Sequence, residues 1–265
     1  MASERVLITG ASSGIGAALA HQYAQRGAKV ILVARPSERL QSVTTAVHGI
    51  AFPGDVADPV VIANAVTYAQ DTLEGLDVVI ANAGYALRGD LSDLTMADIR
   101  RQFETNVFGV LTTIQATLPL LRATRGRLVI IGSVAGSVTT RGAIAYAMSK
   151  AALRPVAEGL RLELAGSGVS VTLITPGLIV SDIDHRDHMG ALIPGLTPTP
   201  SRWAMPTSDA ARKIVRAIDR RRTEAVITWH AWFLLLAWHW CPCLVRPFLA
   251  HDRSRHDRSR HGRGT

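Results

Sequence analysis

The chain predicts a single α/β domain built on one doubly wound parallel sheet with helices on both faces. Strand-like apolar runs at 6–9, 30–34, 50–55, 77–81, 127–131, 169–175 and 225–228 alternate with segments of helical periodicity. That alternation implies right-handed crossovers and a sheet covered on both sides. A glycine-rich turn joins the first run to the first helical segment, the usual ligand-facing corner of such a sheet. Finally, 265 residues, 48% of them hydrophobic, suffice for the core of one domain. The domain is expected over residues 1–228, with an apolar extension at 229–250 and a disordered basic tail at 251–265.

In chain order, Val6-Leu7-Ile8 reads as a buried strand running into Gly10. Gly10, Gly14 and Gly16, with Ser12, Ser13 and Ile15 between them, form the turn before "IGAALAHQYAQRG". Glycines let backbone approach a pyrophosphate, and a helix amino terminus offers free N–H groups and a positive dipole end. The spacing, T-G-x-x-x-G-x-G, departs from G-x-G-x-x-G, so alone it also fits a glycine turn with no ligand. The second strand ends at Ala34-Arg35, the third leads into Gly54-Asp55-Val56, and the fourth ends at Asn82-Ala83-Gly84. Asn106 lies in "ETNVFGV" on a long helical stretch. Ser133 follows the fifth strand in "VIIGSVAGS", and thirteen residues later comes "YAMSK". Tyr146 and Lys150, four apart, share one helix face. A phenol of pKa near 10 works poorly at neutral pH until a cation favours its ionised form, and Lys150 is one of only three lysines. Y-x-x-x-K alone is a weak signal. Pro155 cannot donate to the carbonyl of Ala151 and predicts a kink just beyond that turn. The sixth strand ends at Pro176-Gly177, ahead of Ile179 and Ser181.

These signatures, in this order from about Arg5 to Thr228, resemble the short-chain dehydrogenase/reductase family and its Rossmann-like fold. The resemblance implies an enzyme transferring hydride between a nicotinamide cofactor and a carbonyl or alcohol. Tyr146 is then the general acid and base, and Ser133 stabilises the substrate oxygen. Lys150 lowers the tyrosine pKa and binds the nicotinamide ribose, while Asn106 matches the helix asparagine that holds a water linking the lysine to solvent. An acid at the end of the second strand would bind the ribose of NAD; Arg35 stands there instead and suits a bidentate phosphate contact, with Ser12 as a further donor. NADP is therefore the expected cofactor. Asp55 is expected at the adenine amino group, Asn82 to Gly84 along the same cleft, and the Ile179 backbone at the carboxamide. Ser181 stands where many relatives carry threonine, and the usual N-N-A-G begins with Ala81 here. Specificity is expected from the proline-bearing segment 178–206, which has no charged cluster demanding phosphate or coenzyme A. The substrate reading is an apolar, lipid-like or steroid-like ketone or alcohol. The alternative is a non-catalytic nucleotide sensor or interaction protein of the same fold. Relatives pair through the helix bearing Tyr146, so a homodimer or homotetramer is expected.

The formal charge of +8 is localised: 212–222 carries six basic residues and one acid, and 251–265 carries five arginines and two acids. Without stacking aromatics or a groove-reading motif, no nucleic-acid partner is expected; a solvated helix face is the simplest reading of the first segment, an anionic membrane the next. Cys241 and Cys243 read as reduced, packed thiols of a cytoplasmic protein with no metal site, although His230 and His239 lie near. The first strand begins within five residues of Met1, which leaves no room for a signal peptide. In 229–250, Trp229, Trp232, Phe233, Leu236 and Trp240 recur at helical spacing. Pro242 limits that helix to about 20 Å, too short to span a bilayer. Two readings stay open: a lid or partner-facing helix over the substrate cleft, and a monotopic membrane contact.

Overall fold

The computed structural model describes residues 3–181, 183 and 203–250; most of the expected specificity segment and the basic tail lie outside the described residues. Seven parallel strands form one sheet in the order β3-β2-β1-β4-β5-β6-β7. They are β1 Arg5–Thr9, β2 Lys29–Ala34, β3 Ile50–Pro53, β4 Val78–Ala81, β5 Arg127–Ile131, β6 Ser170–Thr175 and β7 Glu224–Val226. The central strands lie under helices on both faces, so they are continuous apolar runs: Val6, Leu7, Ile8, Val78, Val79 and Ile80 are wholly buried.

Ten helices surround the sheet: α1 Gly14–Gln25, α2 Glu38–Val47, α3 Pro59–Leu73, α4 Met96–Phe103, α5 Gly109–Thr124, α6 Ile144–Ala151, α7 Leu153–Glu163, α8 Thr207–Asp219, α9 Trp229–Trp240 and α10 Pro242–Ala250, counted among the described residues. On one face Leu19 and Tyr23 of α1 pack with Ile214 and Ile218 of α8; on the other Ile62 of α3 packs with Ile114 and Leu121 of α5. The helical run Met96–Thr124 has the length and composition to cross a bilayer, but its apolar side belongs to this core. Local chemistry sets the boundaries. Asp58 caps α3 ahead of Pro59, and Thr95 with Asp98 forms a capping box on α4.

Two expectations shift. The third strand stops at Pro53 rather than residue 55 because the chain turns at Gly54, where a Cβ would lie 2.3 Å from Val61. The seventh covers 224–226 rather than 225–228, since Thr228 already serves as the N-cap residue of α9. The interruption expected from Pro155 just beyond the Tyr146–Lys150 turn falls at Ala152, between α6 and α7.

Arginines close the amino edge of the sheet. Arg5 forms a bidentate pair with Asp77, at 2.8 Å on each arm, and its hydrogen bonds hold the Asp77 carboxyl below the usual range. Arg127 pairs with Glu4 and Asp219, and Arg26 with Asp219. Arg221 donates to the carbonyls of Arg125, Gly126 and Gly168. Part of the basic segment 212–222 is thus engaged at this edge, while Arg212, Lys213 and Arg216 form the solvated face of α8. The segment therefore ends at the edge opposite the start of α9.

Candidate active site

Strand order reverses between β1 and β4, so their carboxyl ends flank a crevice. Gly10 and Gly14 adopt left-handed backbone, φ 66° and 56°. A Cβ on Gly10 would lie 2.7 Å from the Ala83 Cα, and one on Gly16 only 2.3 Å from the Gly10 carbonyl oxygen. Turn, helix and 82–84 segment therefore meet backbone to backbone. Asn82 fastens them: its Nδ2 donates to the carbonyls of Thr9 (2.9 Å) and Gly10 (3.2 Å), and its amide donates to Thr9 Oγ1 at 3.0 Å. Gly14 alone of the three is open, with Ser181 Cβ nearest at 3.5 Å. The first turn of α1 contains no acid and receives no side-chain cap from Ser13, which leaves its positive end for a ligand.

The crevice widens into a cleft of about 800 Å³. Gly10, Ser12, Ser13, Gly14, Ile15, Arg35, Asp55 and Val56 line it together with Asn82, Ala83 and Gly84 and with Ser133, Tyr146, Lys150, Pro176, Gly177, Ile179 and Ser181. Gly16 lies beneath the turn, and Asn106 behind the cleft wall. A floor of backbone, a helix amino terminus, a guanidinium and titratable side chains along one cleft fit an elongated dinucleotide.

Ser133 caps the short turn 134–136, its Oγ accepting from the Ala135 amide at 3.1 Å. The Lys150 ammonium is buried and donates to the Ile131 carbonyl at 2.9 Å; burial lowers its pKa to about 8. A brace stands behind them. Asn106 lies in the π turn Glu104–Phe108; its Oδ1 accepts from the Tyr85 amide (3.0 Å), and its Nδ2 donates to the Tyr85 carbonyl and Ser149 Oγ, each at 2.9 Å. Ser149 in turn donates to the Tyr146 carbonyl at 2.8 Å. The Asn106 side chain thus ties α6 to the loop after β4. Gly84 fits between, where a Cβ would lie 3.0 Å from Asn106 Oδ1 and 3.3 Å from Lys150 Nζ.

The cleft also contains residues that no sequence pattern marks. Arg88 and Arg141 line it, with Arg88 Cζ 6.0 Å from the centre of the Tyr146 ring and Arg141 paired with Asp90 at 2.8 Å. From the extension come His230, Ala231 and Leu234. Only that side of α9 meets the cleft. The Trp229, Trp232, Phe233, Leu236 and Trp240 face points outward, each residue at least 42% exposed, which corrects the idea that this stripe covers the site. The reason is steric: small Ala231 is the residue that packs on Gly177, where a Cβ would come within 2.8 Å of it. The packed thiols are corrected too. Cys241 and Cys243 are exposed, at the break between α9 and α10. Among the described residues no group of side chains is suited to a metal.

The family model for short chain dehydrogenases matches residues 4–190. An uncharacterized oxidoreductase of Staphylococcus aureus is 37% identical over 177 residues, 65% of this chain and 77% of its own. A hydroxysteroid 11-beta-dehydrogenase 1-like protein of Danio rerio is 32% identical over 248 residues, 91% of this chain and 84% of its own. Among solved structures, a short-chain dehydrogenase from Streptomyces avermitilis superposes with a TM-score of 0.77 at 27% identity, covering 94% of this chain and 95% of that one. Two more share the fold: one from Burkholderia phymatum in complex with NAD (TM-score 0.81, 22% identity, 92% and 95% covered) and one from Burkholderia cenocepacia in complex with NADP (0.78, 24%, 93% and 97%).

Proposed function

The chain belongs to the short-chain dehydrogenase family of oxidoreductases, and we propose that it is an NADP(H)-dependent member interconverting a carbonyl and an alcohol on an apolar, lipid- or steroid-like substrate. One observation carries the reading: the glycine turn and the Ser133, Tyr146 and Lys150 side chains open on one continuous cleft. The bound nicotinamide supplies or accepts the hydride. Tyr146 gives a proton to the substrate oxygen in reduction and takes it in oxidation. Ser133 donates its hydroxyl hydrogen to the same oxygen, opposing charge build-up there. Lys150, still largely cationic at neutral pH, favours the ionised phenol and holds the ribose; Asn106, through Ser149 and Tyr85, keeps α6 in place. A non-catalytic sensor would use Lys150 for the ribose but would have no use for the Ser133 and Tyr146 hydroxyls that line the cleft with it.

NADP is favoured because Arg35 lines the cleft just after β2, at the sequence position where an acid would bind the ribose of NAD. Similar folds hold either coenzyme, so this side chain makes the choice. The substrate reading rests on Val138, Leu178, Ile183 and Leu234 around the inner end and on the steroid-enzyme likeness of the Danio rerio relative. Arg88 and Arg141 add a cationic rim. Oxidation of NADPH against NADH over a panel of carbonyls tests the whole reading. Tyr146→Phe should abolish turnover while leaving NADPH affinity nearly intact; near-normal rates for that variant would remove Tyr146 as the acid.

The outward face of α9 supports a second element, contact with an anionic membrane surface from the cytoplasmic side. Trp203 and Trp229 meet edge to face at 5.5 Å, and Trp229 and Phe233 at 6.1 Å, so exposed aromatics run from the cleft mouth along α9. No acid occurs between Ala225 and Ala250, and Arg246 and the arginines after residue 250 follow. A two-fold contact between copies would set those cations against each other, whereas anionic lipid matches them. Homo-oligomer contacts are better assigned elsewhere, for instance α7, where Leu162 is 81% exposed.

A further inference from the structure

The segment after β6 is held from two sides. Met205 accepts from the Val180 amide and donates to the Leu178 carbonyl, each at 3.0 Å. The remaining polar group of Leu178, its amide, donates to His230 Nε2 at 2.9 Å. In extended backbone, alternate residues direct their N–H and C=O groups to opposite sides. With Leu178 and Val180 committed to Met205 and His230, the backbone of Ile179 faces the other way, and Ile179 lines the cleft. The close approach depends on Gly177, whose Cβ would lie 2.8 Å from His230 Nε2 and 2.2 Å from Thr228 Oγ1.

The contact fixes the state of the ring. To accept at Nε2, a neutral histidine carries its proton on Nδ1, which is buried and has no hydrogen-bond partner. A second proton would set N–H against N–H. Burial lowers the His230 pKa, so the accepting form is the one present at neutral pH. Around the ring, 177–181, Thr228 and Trp229 carry no titratable side chain. Among the described residues, the titratable and charged groups that share its surroundings are Lys213 of α8, which donates to the Ile227 carbonyl, and Tyr146, Lys150, Arg88 and Arg141 in the lining of the same cleft.

We propose that His230 is a positioning residue for the nicotinamide end of the coenzyme: as an acceptor for Leu178 it holds the Ile179 backbone toward the cleft, and on protonation it lets go. This deepens the nicotinamide-dependent reading given above and rests on it. The extension is then part of the coenzyme site, and coenzyme grip becomes sensitive to acid.

The test compares dissociation constants of NADPH and of 2′,5′-ADP, which has the same phosphates but no nicotinamide, from pH 5 to 8. Their ratio cancels the titration of the shared phosphate, whose pKa is near 6. For the full chain the ratio should be flat above pH 6.5 and rise in favour of the fragment below it. His230→Leu should raise it up to about tenfold at pH 7.5, the loss of one hydrogen bond. His230→Gln, which offers an acceptor that does not titrate, should stay near wild type and lose the acid limb. The idea is overturned if His230→Leu leaves the ratio unchanged or weakens both ligands equally, or if His230→Gln keeps the acid limb. If neither ligand binds at any pH, the coenzyme reading itself has failed; the same comparison with NADH and ADP separates a wrong choice of coenzyme from a wrong role for His230.

Discussion

Lys150→Met should make the stability of the coenzyme-free protein less dependent on alkaline pH. The ammonium is wholly buried, donates to Ile131 alone among the described residues, and burial lowers its pKa from 10.5 to about 8. At about 1.4 kcal/mol for each tenfold change in proton affinity, the protonated form costs roughly 3 kcal/mol at neutral pH. The sign follows from proton counts. Between pH 8 and 10.5 the unfolded lysine keeps its proton and the folded one has released it, so the unfolded state binds more protons and stability rises with pH. Methionine keeps most of the volume without the charge but leaves the Ile131 carbonyl unpaired, a loss of about 1–3 kcal/mol. Near pH 7 the variant should therefore equal wild type or exceed it by up to about 2 kcal/mol. By pH 10.5 the order should reverse. Urea unfolding at pH 7, 8.5 and 10.5 reads this directly, and other titrating groups cancel in the difference. Parallel pH curves for the two proteins would refute the reasoning and mean that the amine is solvated. The variant should also lose turnover, so the residue that strains the fold is the one retained for the reaction.

Arg35→Asp should reverse coenzyme preference, weakening NADPH by about ten- to a hundredfold through loss of a charge-assisted contact; a wild-type preference for NADH would show that Arg35 plays no such part. The double substitution Trp232→Glu and Trp240→Glu, both on the exposed face of α9, should abolish co-sedimentation with vesicles containing phosphatidylserine while leaving turnover of a water-soluble carbonyl unchanged. Wild-type binding should weaken in high salt, and failure to sediment at low salt would end the membrane reading.

The features legible in the sequence are those encoded locally. A strand, a glycine turn and a helix follow one another within twenty residues, and Tyr146 and Lys150 sit one helical turn apart, so spacing alone assembles them. The interruption at Ala152 was legible for the same reason, since Pro155 acts on the carbonyl four residues back. Arg88, Arg141 and His230 were not. Each is a single polar residue without periodic company, brought to the cleft by strand order or by the path of α9. The outward turn of the tryptophan stripe was hidden because α9 is apolar on every side, and periodicity cannot tell which side meets protein. The basic segment 212–222 was legible in part: Arg212, Lys213 and Arg216 are exposed on α8 as a solvated face would be, but composition does not report the carbonyls that engage Arg221 at the amino edge.

That arginine-closed edge bears on where the molecule yields. Arg5 with Asp77, Arg127 with Glu4, Arg26 with Asp219 and Arg221 with the Arg125 carbonyl join stretches 72, 123, 193 and 96 residues apart. None of these links can form until segments distant in sequence have come together, and all of them must break before strands separate from that end. Among the described residues the opposite rim includes looser fastenings, such as a single amide held by an imidazole. Thermal opening should therefore begin at the catalytic rim and spread toward the stapled edge, and hydrogen exchange should run fastest at the carboxyl ends of the strands. The breathing a substrate needs in order to enter is then confined to the half of the molecule that receives it.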